Sequence, residues 1–576
     1  MQPLPITLFD SYKKEFVHIK PEETVVPNTL KLYSCGPTIY SYQHIGNMRA
    51  AWFNDTVAKL AKLASWQVDW VLNITDVGHL VADGDDGQNV SNSEDKVEKA
   101  AKKDGKTVKE IIDFYLSDYL QQASKLGLNL PAGKMMPMAT DYIQEQMILA
   151  LELLKIGKAY LLEDGIYYDS REDEQDNSNS KNDSNYTGRH IVNNLKNSAD
   201  FALWKFVDEN SLQKWRFTDF QQPKNIFLEI SEELGIGSDS FNQEIEQGRP
   251  PAIFAKMKAD EVFKLIYPTA IDFKWGCPGW HSECVAMISE IIGQKRFSNP
   301  NKLFSKAISP SYEIDLHTGG IEHIPIHHKN EIIQSEALGF HLSKYWVHFE
   351  HLLIDGGKMS KSLGNSYTMW DIIEKGFDPL AYKLLMFEHN YQDQMNFTWD
   401  KMAQAQNRLY NLRKDAAKIS SYISSLGELT ANDDPSVAST STSHGKQAVS
   451  STDLKKEWLE ILCNNLDTAK FLEEYQAKLS ELSNLATKAQ FIDPGIYDIV
   501  AQFDLNLLNL GLFNIDKTSE DKLLSKYQKS EELAEERLKA RAEKDFQKSD
   551  ELRKEIDKLG FQIDDYPWGY GLWRKG

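Results

Sequence analysis

Four side chains, far apart along the chain, are of types that could bind one soft metal ion: Cys35, Cys284, His327 and Glu331. His327 and Glu331 are four residues apart, so they share a face if residues 326–339 form a helix. A set of thiolate, imidazole and carboxylate ligands favours zinc over magnesium or calcium. The residues alone leave other interpretations open, because a lone buried cysteine usually behaves as a small apolar residue. His327 could also pair with its neighbour His328.

Two glycine-containing segments could bind phosphate groups. The first, His44-Ile45-Gly46-Asn47, precedes apolar residues at helical spacing, so a helix should begin near Gly46. The N-terminus of such a helix offers unpaired N–H groups to an anion. The second, Lys358-Met359-Ser360-Lys361-Ser362, places two lysines in a Gly/Ser-rich loop, which suits a clamp on a polyphosphate. Each segment alone could equally be an ordinary turn or a solvated basic loop.

The elements that must position these residues follow an α/β pattern. Two buried strands flanking a helix make residues 30–76 a βαβ unit, which starts a parallel sheet. Ligands of such sheets bind beyond the carboxyl ends of the strands, where Cys35 and residues 73–76 lie. Further strands are predicted at 312–316 and 346–349. Helical patterns are predicted at 96–126, 140–157, 225–235, 252–266, 402–425, 454–483 and 519–559.

Taken together and in this order, the two phosphate-binding segments resemble the HIGH and KMSKS signatures of class I aminoacyl-tRNA synthetases. The chain resembles the cysteinyl-tRNA synthetases over most of 25–425 and again over 530–576. The segments that carry the resemblance are 33–40, 73–76, 200–205, 278–284, 327–331 and 358–362. The departures from the family pattern are Asn47 in place of the last signature histidine, Cys277 in place of an arginine, Lys329 within the His-His motif, and insertions at 171–198 and 206–270.

The resemblance implies ATP-dependent attachment of L-cysteine to tRNA(Cys) through a cysteinyl-adenylate. It implies one zinc ion per chain, bound to the substrate thiolate, and Mg²⁺ accompanying ATP. The zinc ligands that the resemblance implies are Cys35, Cys284, His327 and Glu331, and Cys277 could compete with them as a ligand. The residues that it implies for ATP binding are His44, Gly46, Asn47, Lys358 and Lys361. Those that it implies for binding the substrate cysteine are Gly36, Thr38 and Trp280.

Two other functions stay open. A related ligase joins cysteine to an aminated sugar glycoside and shares the sheet and the zinc site, but it typically ends soon after the helical segment that follows the lysine loop. About 200 residues follow that loop here, which favours tRNA. A non-catalytic RNA-binding relative would need neither the two signature lysines nor the four presumed ligands.

The predicted fold class is α/β. A Rossmann-like parallel-sheet catalytic domain with a connective insertion precedes an α-helical bundle and a small C-terminal domain that binds tRNA and its anticodon. The predicted domains are 1–135, first catalytic half; 136–270, connective insertion with an extra segment; 271–341, second catalytic half; 342–403, lysine-loop domain; 404–517, helical bundle with a linker at 429–453; and 518–576, anticodon-binding domain.

The last predicted helix carries basic residues that would share one stripe of its surface. Four of its basic residues, Arg537, Arg541, Lys544 and Lys548, lie at offsets 0, 4, 7 and 11, and an aromatic, basic segment follows the helix. Such rings can stack on bases, although interleaved glutamates leave a solvated charged helix as the alternative. The candidate tRNA-binding residues are Arg537, Arg541, Lys544, Lys548 and Trp573.

Composition sets the broad class of the chain. It has 576 residues and a formal charge of −20, which argues against nucleic acid only weakly, since a local basic stripe can contact phosphates. No segment approaches ~20 apolar residues, so no membrane partner is expected. The N-terminus lacks the features of a signal peptide, and four scattered cysteines fit a reducing cytoplasm. The default oligomeric state is a monomer.

Overall fold

The computed structural model describes residues 3–78, 95–162, 164–171, 195–233, 274–298, 309, 311–359, 364–432, 450–513, 521–566 and 569–574. The strands are β1 Ile6–Asp10, β2 Glu15–Ile19, β3 Thr29–Ser34, β4 Gln67–Leu72, β5 Ala159–Leu162, β6 Gly165–Tyr168, β7 Phe201–Phe206, β8 Gly276–Pro278, β9 Tyr312–Gly320, β10 His341–Phe349, β11 Leu352–Ile354, β12 Gly357–Lys358, β13 Met395–Phe397, β14 Phe561–Tyr566 and β15 Gly569–Arg574.

The helices are α1 Ile45–Leu63, α2 Lys96–Asp104, α3 Val108–Lys125, α4 Ile143–Lys155, α5 Gln221–Glu233, α6 Trp280–Ile291, α7 His327–Ala337, α8 Met369–Glu374, α9 Pro379–Phe387, α10 Trp399–Asn432, α11 Ser451–Cys463, α12 Thr468–Thr487, α13 Pro494–Phe503, α14 Asp521–Ala542 and α15 Phe546–Lys558. Within the described ranges, none of these helices is apolar and long enough to cross a bilayer.

A parallel sheet of four strands, in the order β10-β9-β3-β4, forms the centre of the catalytic region. Strand β3 pairs on both sides, and its register places Leu32 opposite Trp70 and Leu316. Leu32 and Leu316 are buried, as a strand covered on both faces requires. The carboxyl ends of β3 and β9 therefore meet at one edge, and the predicted α/β fold with its βαβ unit is confirmed.

Two smaller sheets place the remaining segments of the candidate site. The antiparallel sheet β5-β6-β7-β8 pairs Trp204 with Pro278 and leads directly into α6. Strands β11 and β12 form a hairpin whose two turn residues, Asp355 (φ 50°) and Gly356 (φ 80°), are both left-handed. An Asp-Gly pair is typical of such a two-residue turn. The hairpin ends at Lys358, the first residue of the lysine loop.

A buried polar junction joins the catalytic region to the helices that follow it. The carbonyl of Gly127 accepts hydrogen bonds from Lys59 Nζ (3.4 Å), Lys383 Nζ (3.2 Å) and Asn509 Nδ2 (2.9 Å). Lys59 also pairs with Asp55 at 2.7 Å. Burial, reinforced by Lys59, lowers the pKa of Lys383 well below its usual value. The junction ties α1 and α9 to the segment after α13.

Several long helical predictions correspond to two helices each. The segment predicted at 96–126 breaks at Gly105, whose left-handed backbone (φ 63°) ends α2. The segment at 519–559 breaks at Lys544 (φ 60°), and the Asp545 side chain then caps α15 by accepting from the Lys548 backbone N–H. Two of the predicted features lie mostly or wholly outside the described residues. They are the insertions at 171–198 and 206–270, most of which is not described, and the helix predicted at 252–266.

Candidate metal centre and nucleotide site

Three separate elements bring Cys35, Cys284, His327 and Glu331 together. Cys35 directly follows β3, Cys284 lies in the second turn of α6, and α7 begins at His327. The ligand atoms of all four residues lie within 4.8 Å of one another. Cys284 Sγ and His327 Nε2 are 3.6 Å apart, close to the ~3.6 Å edge expected for a tetrahedral zinc site with Zn–S and Zn–N bonds of ~2.3 and ~2.05 Å.

The electrostatics of this cluster keep its two thiols protonated when no cation is bound. Burial, together with neighbouring acidic groups, raises the pKa of the Cys284 thiol well above its usual value. Burial also raises the pKa of Cys35, and Glu331 adds to that effect. Although burial alone would lower it, Glu331 and Cys284 raise the pKa of His327 to about 10. A bound divalent cation would reverse the penalty on both thiolates.

The Glu331 carboxylate tests whether the residues fit a metal. It is fully buried, and its oxygens lie 2.8 Å from His327 Nε2 and 2.9 Å from His317 Nε2. Neither oxygen meets the angular criteria of a hydrogen bond to these nitrogens. A fully buried carboxylate without well-formed hydrogen bonds is costly, whereas nitrogen and oxygen atoms crowded around one point are the arrangement that metal ligands adopt. The donor set therefore fits zinc.

A second group of possible ligands overlaps the first. Cys35 and Glu331 also converge with His317 and His328 to within 4.8 Å. His328 Nε2 lies 3.3 Å from Cys35 Sγ, and its Nδ1 lies 2.7 Å from His348 Nε2. Neither His317 nor His328 was predicted as a ligand; the signal available in the sequence was a histidine at the end of a predicted buried strand. Among the described residues, neither converging group includes Cys277, which is buried in β8.

The residues expected to bind substrate cysteine border this cluster. Trp280 stacks on the ring of His327, with centroids 4.3 Å apart. The Gly36 N–H donates to Asn73 Oδ1 at 2.8 Å, and a Cβ at position 36 would lie 1.6 Å from the Asn73 carbonyl oxygen. Glycine is therefore required there. Thr38 forms a parallel β-bridge with Thr75, which lies just beyond the end of β4.

The predicted phosphate-binding turn forms the N-terminus of α1. His44 is the N-cap residue: its Nδ1 accepts from the Asn47 N–H (3.2 Å), and Asn47 Oδ1 accepts from the His44 N–H (3.1 Å). Because Nδ1 is an acceptor, a neutral His44 ring carries its proton on Nε2. Asn47 thus completes a capping box, which gives this family-atypical residue a structural role.

Met359, the second residue of the lysine loop, lies close to the same turn. A Cβ at Gly46 would lie 3.5 Å from the Met359 side chain and 3.0 Å from the His44 ring. Lys358 is exposed at the end of β12. Lys361 lies outside the described residues. The two signature segments are therefore adjacent where the structure describes them.

Sequence reasoning missed Arg49, which fixes the start of the lysine-loop region. Its guanidinium is buried and donates to the carbonyls of Glu350, His351 (3.1 Å) and Asp393 (2.9 Å). The sequence carried one signal for this role, an arginine placed one turn into the apolar helix α1. A charge buried at such a position needs several hydrogen-bond partners. Arg49 therefore links the nucleotide turn to the segments that lead into β11 and β13, the small sheet to which the strand with Lys358 belongs.

The structure changes the expectation for the C-terminal basic residues. Arg537 is 1% exposed and forms a two-pronged pair with Asp565. Trp573 is 3% exposed and packs against Tyr410, with ring centroids 6.1 Å apart. The expected single stripe does not form, because the helix breaks at Lys544 and the guanidinium of Arg537 faces a carboxylate. The residues that remain exposed are Arg541, Lys544 and Lys548.

The family model for the catalytic domain of class I (C) tRNA synthetases matches residues 21–84, 87–219 and 233–407. The chain belongs to this family. The matched segments of the class I (C) synthetase domain contain the parallel sheet, the converging cysteines and histidines, and the nucleotide turn. They leave out residues 220–232, which form part of the segment expected to be an insertion.

Relatives match over almost the whole chain. A cysteine--tRNA ligase of Treponema denticola is 30% identical and covers 98% of this chain and 97% of its own. A cysteine--tRNA ligase of Zymomonas mobilis is 29% identical and covers 99% of this chain and 98% of its own. Among solved structures, Mycobacterium tuberculosis methionyl-tRNA synthetase in complex with methionyl-adenylate has a TM-score of 0.45 at 12% identity, covering 84% of this chain and 90% of that one.

Proposed function

We propose that this protein attaches L-cysteine to tRNA(Cys) at the expense of ATP, through a cysteinyl-adenylate. The observation that carries the proposal is the convergence of Cys35, Cys284, His327 and Glu331 to within 4.8 Å. A buried cysteine, histidine and glutamate set is a ligand set for zinc. The α1 N-terminus, capped by His44, supplies an anion site in the same sheet-edge region.

The four residues would hold one zinc ion, with Trp280 beside them. When bound there, zinc lowers the pKa of a coordinated thiol and favours sulfur over a hydroxyl oxygen. A ligand set of this kind can discriminate cysteine from serine by more than the ~1–3 kcal/mol available from a methylene-sized misfit. The proposal therefore requires no separate editing site. Gly36 and Thr38 would border the bound amino acid from the loop after β3.

The chain's own residues would position ATP and stabilise charge. An oxygen of the cysteine carboxylate attacks the α-phosphorus, and the bond to pyrophosphate breaks. His44 Nε2–H, the N–H groups around Gly46, Lys358 and Lys361 would donate to the phosphate oxygens as negative charge builds up. Mg²⁺ would accompany the ATP. A ribose hydroxyl at the tRNA end then attacks the adenylate carbonyl, and AMP leaves.

The regions after the lysine loop would hold the tRNA body. We propose that the helices from α10 to α13 contact its inner face and that α14 to β15 contact the anticodon, with Arg541, Lys544 and Lys548 as phosphate contacts. A monomer in the cytoplasm suits this role. All four cysteines are free thiols in the structure, which is consistent with a reducing compartment.

The decisive experiment compares cysteine and serine in ATP–pyrophosphate exchange, with zinc measured on the same sample. We expect exchange with cysteine, no detectable exchange with serine, and one zinc per chain. Chelation should abolish exchange, and added zinc should restore it. Equal exchange with serine, or full exchange in a metal-free sample, would contradict the proposal. Ligation of cysteine to an aminated sugar glycoside without tRNA charging would select the alternative ligase.

A further inference from the structure

An exposed aromatic patch lies beside the nucleotide turn. It consists of Tyr42, from the loop before α1, and of Phe114 and Tyr115 from α3; we call these three residues the aromatic platform. The Tyr42 ring lies 5.9 Å from the Phe114 ring and 5.4 Å from the Tyr115 ring, and Phe114 and Tyr115 are 5.1 Å apart. All three contacts are edge-to-face, so each contact places the edge of one ring against the face of its neighbour.

Packing does not account for the whole platform. Tyr115 packs against a small core formed by α2 and α3, and Tyr40 contributes to the same core. Tyr42 and Phe114 remain 46% and 45% exposed, although each ring could bury a large apolar area. An exposed aromatic cluster of this kind typically marks a binding site.

The segment next to the platform on α2 is rich in lysine, although Lys102 pairs with Glu98 and Lys109 pairs with Asp113. Residues 96–109 contain six lysines and two acidic residues, whereas the chain carries a formal charge of −20. Lys106 Nζ lies 5.3 Å from the centroid of the Phe114 ring, and Lys96 Nζ lies 5.7 Å from that of Tyr40. Aromatic rings interleaved with lysines are typical of surfaces that bind single-stranded nucleic acid.

The position of the platform decides which nucleic acid it meets. Tyr42 lies two residues before His44, the N-cap at the proposed ATP site. The tRNA must bring its terminal ribose to the adenylate, so its unpaired 3′ end has to cross the surface next to that turn. A helical stem would offer the rings no accessible base faces, whereas unpaired bases do.

We propose that the aromatic platform stacks the unpaired bases at the 3′ end of the tRNA, while Lys96 and Lys106 contact its phosphates. This inference rests on the proposed function and names a contact surface for its second step. The first step needs no tRNA and therefore does not need the platform. The two steps can be measured separately, which makes the inference testable on the intact protein.

The primary test uses Tyr42→Ala, Phe114→Ala and the double variant. We expect kcat/KM for tRNA in aminoacylation to fall about 5- to 100-fold per lost stacking contact. Cysteine-dependent ATP–pyrophosphate exchange should stay unchanged, because both rings lie outside the phosphate-binding turn. Tyr42→Phe and Phe114→Tyr should retain aminoacylation, because they keep the ring. Phe16→Ala, at an exposed aromatic residue of β2 (54% exposed), is the matched control.

A binding measurement separates stacking from other effects. The affinity of wild type and of the double variant is compared for full-length tRNA and for tRNA trimmed of its unpaired 3′ nucleotides. The double variant should bind full-length tRNA more weakly than wild type, and both proteins should bind trimmed tRNA equally. With 2-aminopurine as the terminal base, binding should quench its fluorescence in wild type but not in the double variant.

The outcomes distinguish this inference from the proposed function. If wild type shows no cysteine-dependent exchange, the proposed function fails. If wild type charges tRNA but the double variant charges it equally well, the platform has no role in tRNA binding. Equal losses of exchange and charging would also overturn the inference, since they would show that the rings support the fold of the nucleotide turn.

Discussion

The metal cluster and the C-terminal basic residues were both inferred from charged and polar side chains, yet the structure treats them differently. The buried carboxylate of Glu331 pairs with His327 at 2.8 Å and lies 2.9 Å from His317, and the thiols of Cys35 and Cys284 converge on the same point. The buried guanidinium of Arg537 has the Asp565 carboxylate beside it. A buried ion pair by itself therefore indicates a structural contact, whereas thiols that converge on such a pair complete a set of metal-binding donor types and indicate a ligand site.

The largest expected effect is at the metal cluster, where Cys284→Ser should abolish cysteine-dependent exchange and reduce zinc to less than one ion per chain. A serine hydroxyl stays protonated and is a poor zinc ligand. Cobalt-substituted protein gives a second measurement, because the thiolate-to-cobalt absorption band should weaken. Cys463→Ser is the matched control, a buried thiol of the helical bundle that belongs to neither converging group. Unchanged activity in Cys284→Ser would refute the ligand assignment.

An intermediate effect is expected at Arg537. Arg537→Ala should destabilise the C-terminal hairpin by about 2 kcal/mol, since it removes a charged two-pronged hydrogen bond and leaves Asp565 with only its longer contact to Arg541. Backbone amides of β14 and β15 should then exchange about 30-fold faster. Arg541→Ala is the control, because its 3.4 Å contact to Asp565 is partly exposed and should contribute little. Unchanged amide exchange in Arg537→Ala would contradict the structural role.

The smallest effect is expected at the exposed lysines of the same region. Lys544→Ala and Lys548→Ala should weaken tRNA binding modestly and lower the slope of log affinity against log salt by about 0.7–0.9 for each lost phosphate contact. Cysteine-dependent exchange should not change. Lys529, an exposed lysine of α14 that pairs with Glu532 at 2.9 Å, provides the control substitution. If Lys544→Ala and Lys548→Ala bind tRNA with the same affinity and salt dependence as the Lys529→Ala control, Lys544 and Lys548 do not contact tRNA phosphates.

Most of the catalytic fold was predictable because local rules and global topology agree there. A strand, a glycine turn and a capped helix lead from β3 into α1, and the end of a strand in a parallel sheet is a fixed location. The i, i+4 spacing of His327 and Glu331 placed both on one face of α7. The predicted ligands do converge, and their role as zinc ligands stays a prediction.

The C-terminal region was less predictable, for identifiable reasons. The break between α14 and α15 falls on Lys544 with φ 60°, and neither glycine nor proline marks it. Only Asp545, as a possible N-cap, hinted at a new helix. The burial of Arg537 depends on Asp565 in a strand 28 residues later, which helical spacing does not reveal. The second ligand group required knowing that His317 and His328 face the same point.

The three donors on the Gly127 carbonyl give α1 a double attachment. Its first turn forms the His44 cap, and its middle carries Lys59 and Asp55 at the junction with Lys383 and Asn509. A packed helix moves as a rigid rod rather than bending locally. A displacement of the segment after α13 that moves Asn509 would therefore also move α1 and the His44 cap at its N-terminus.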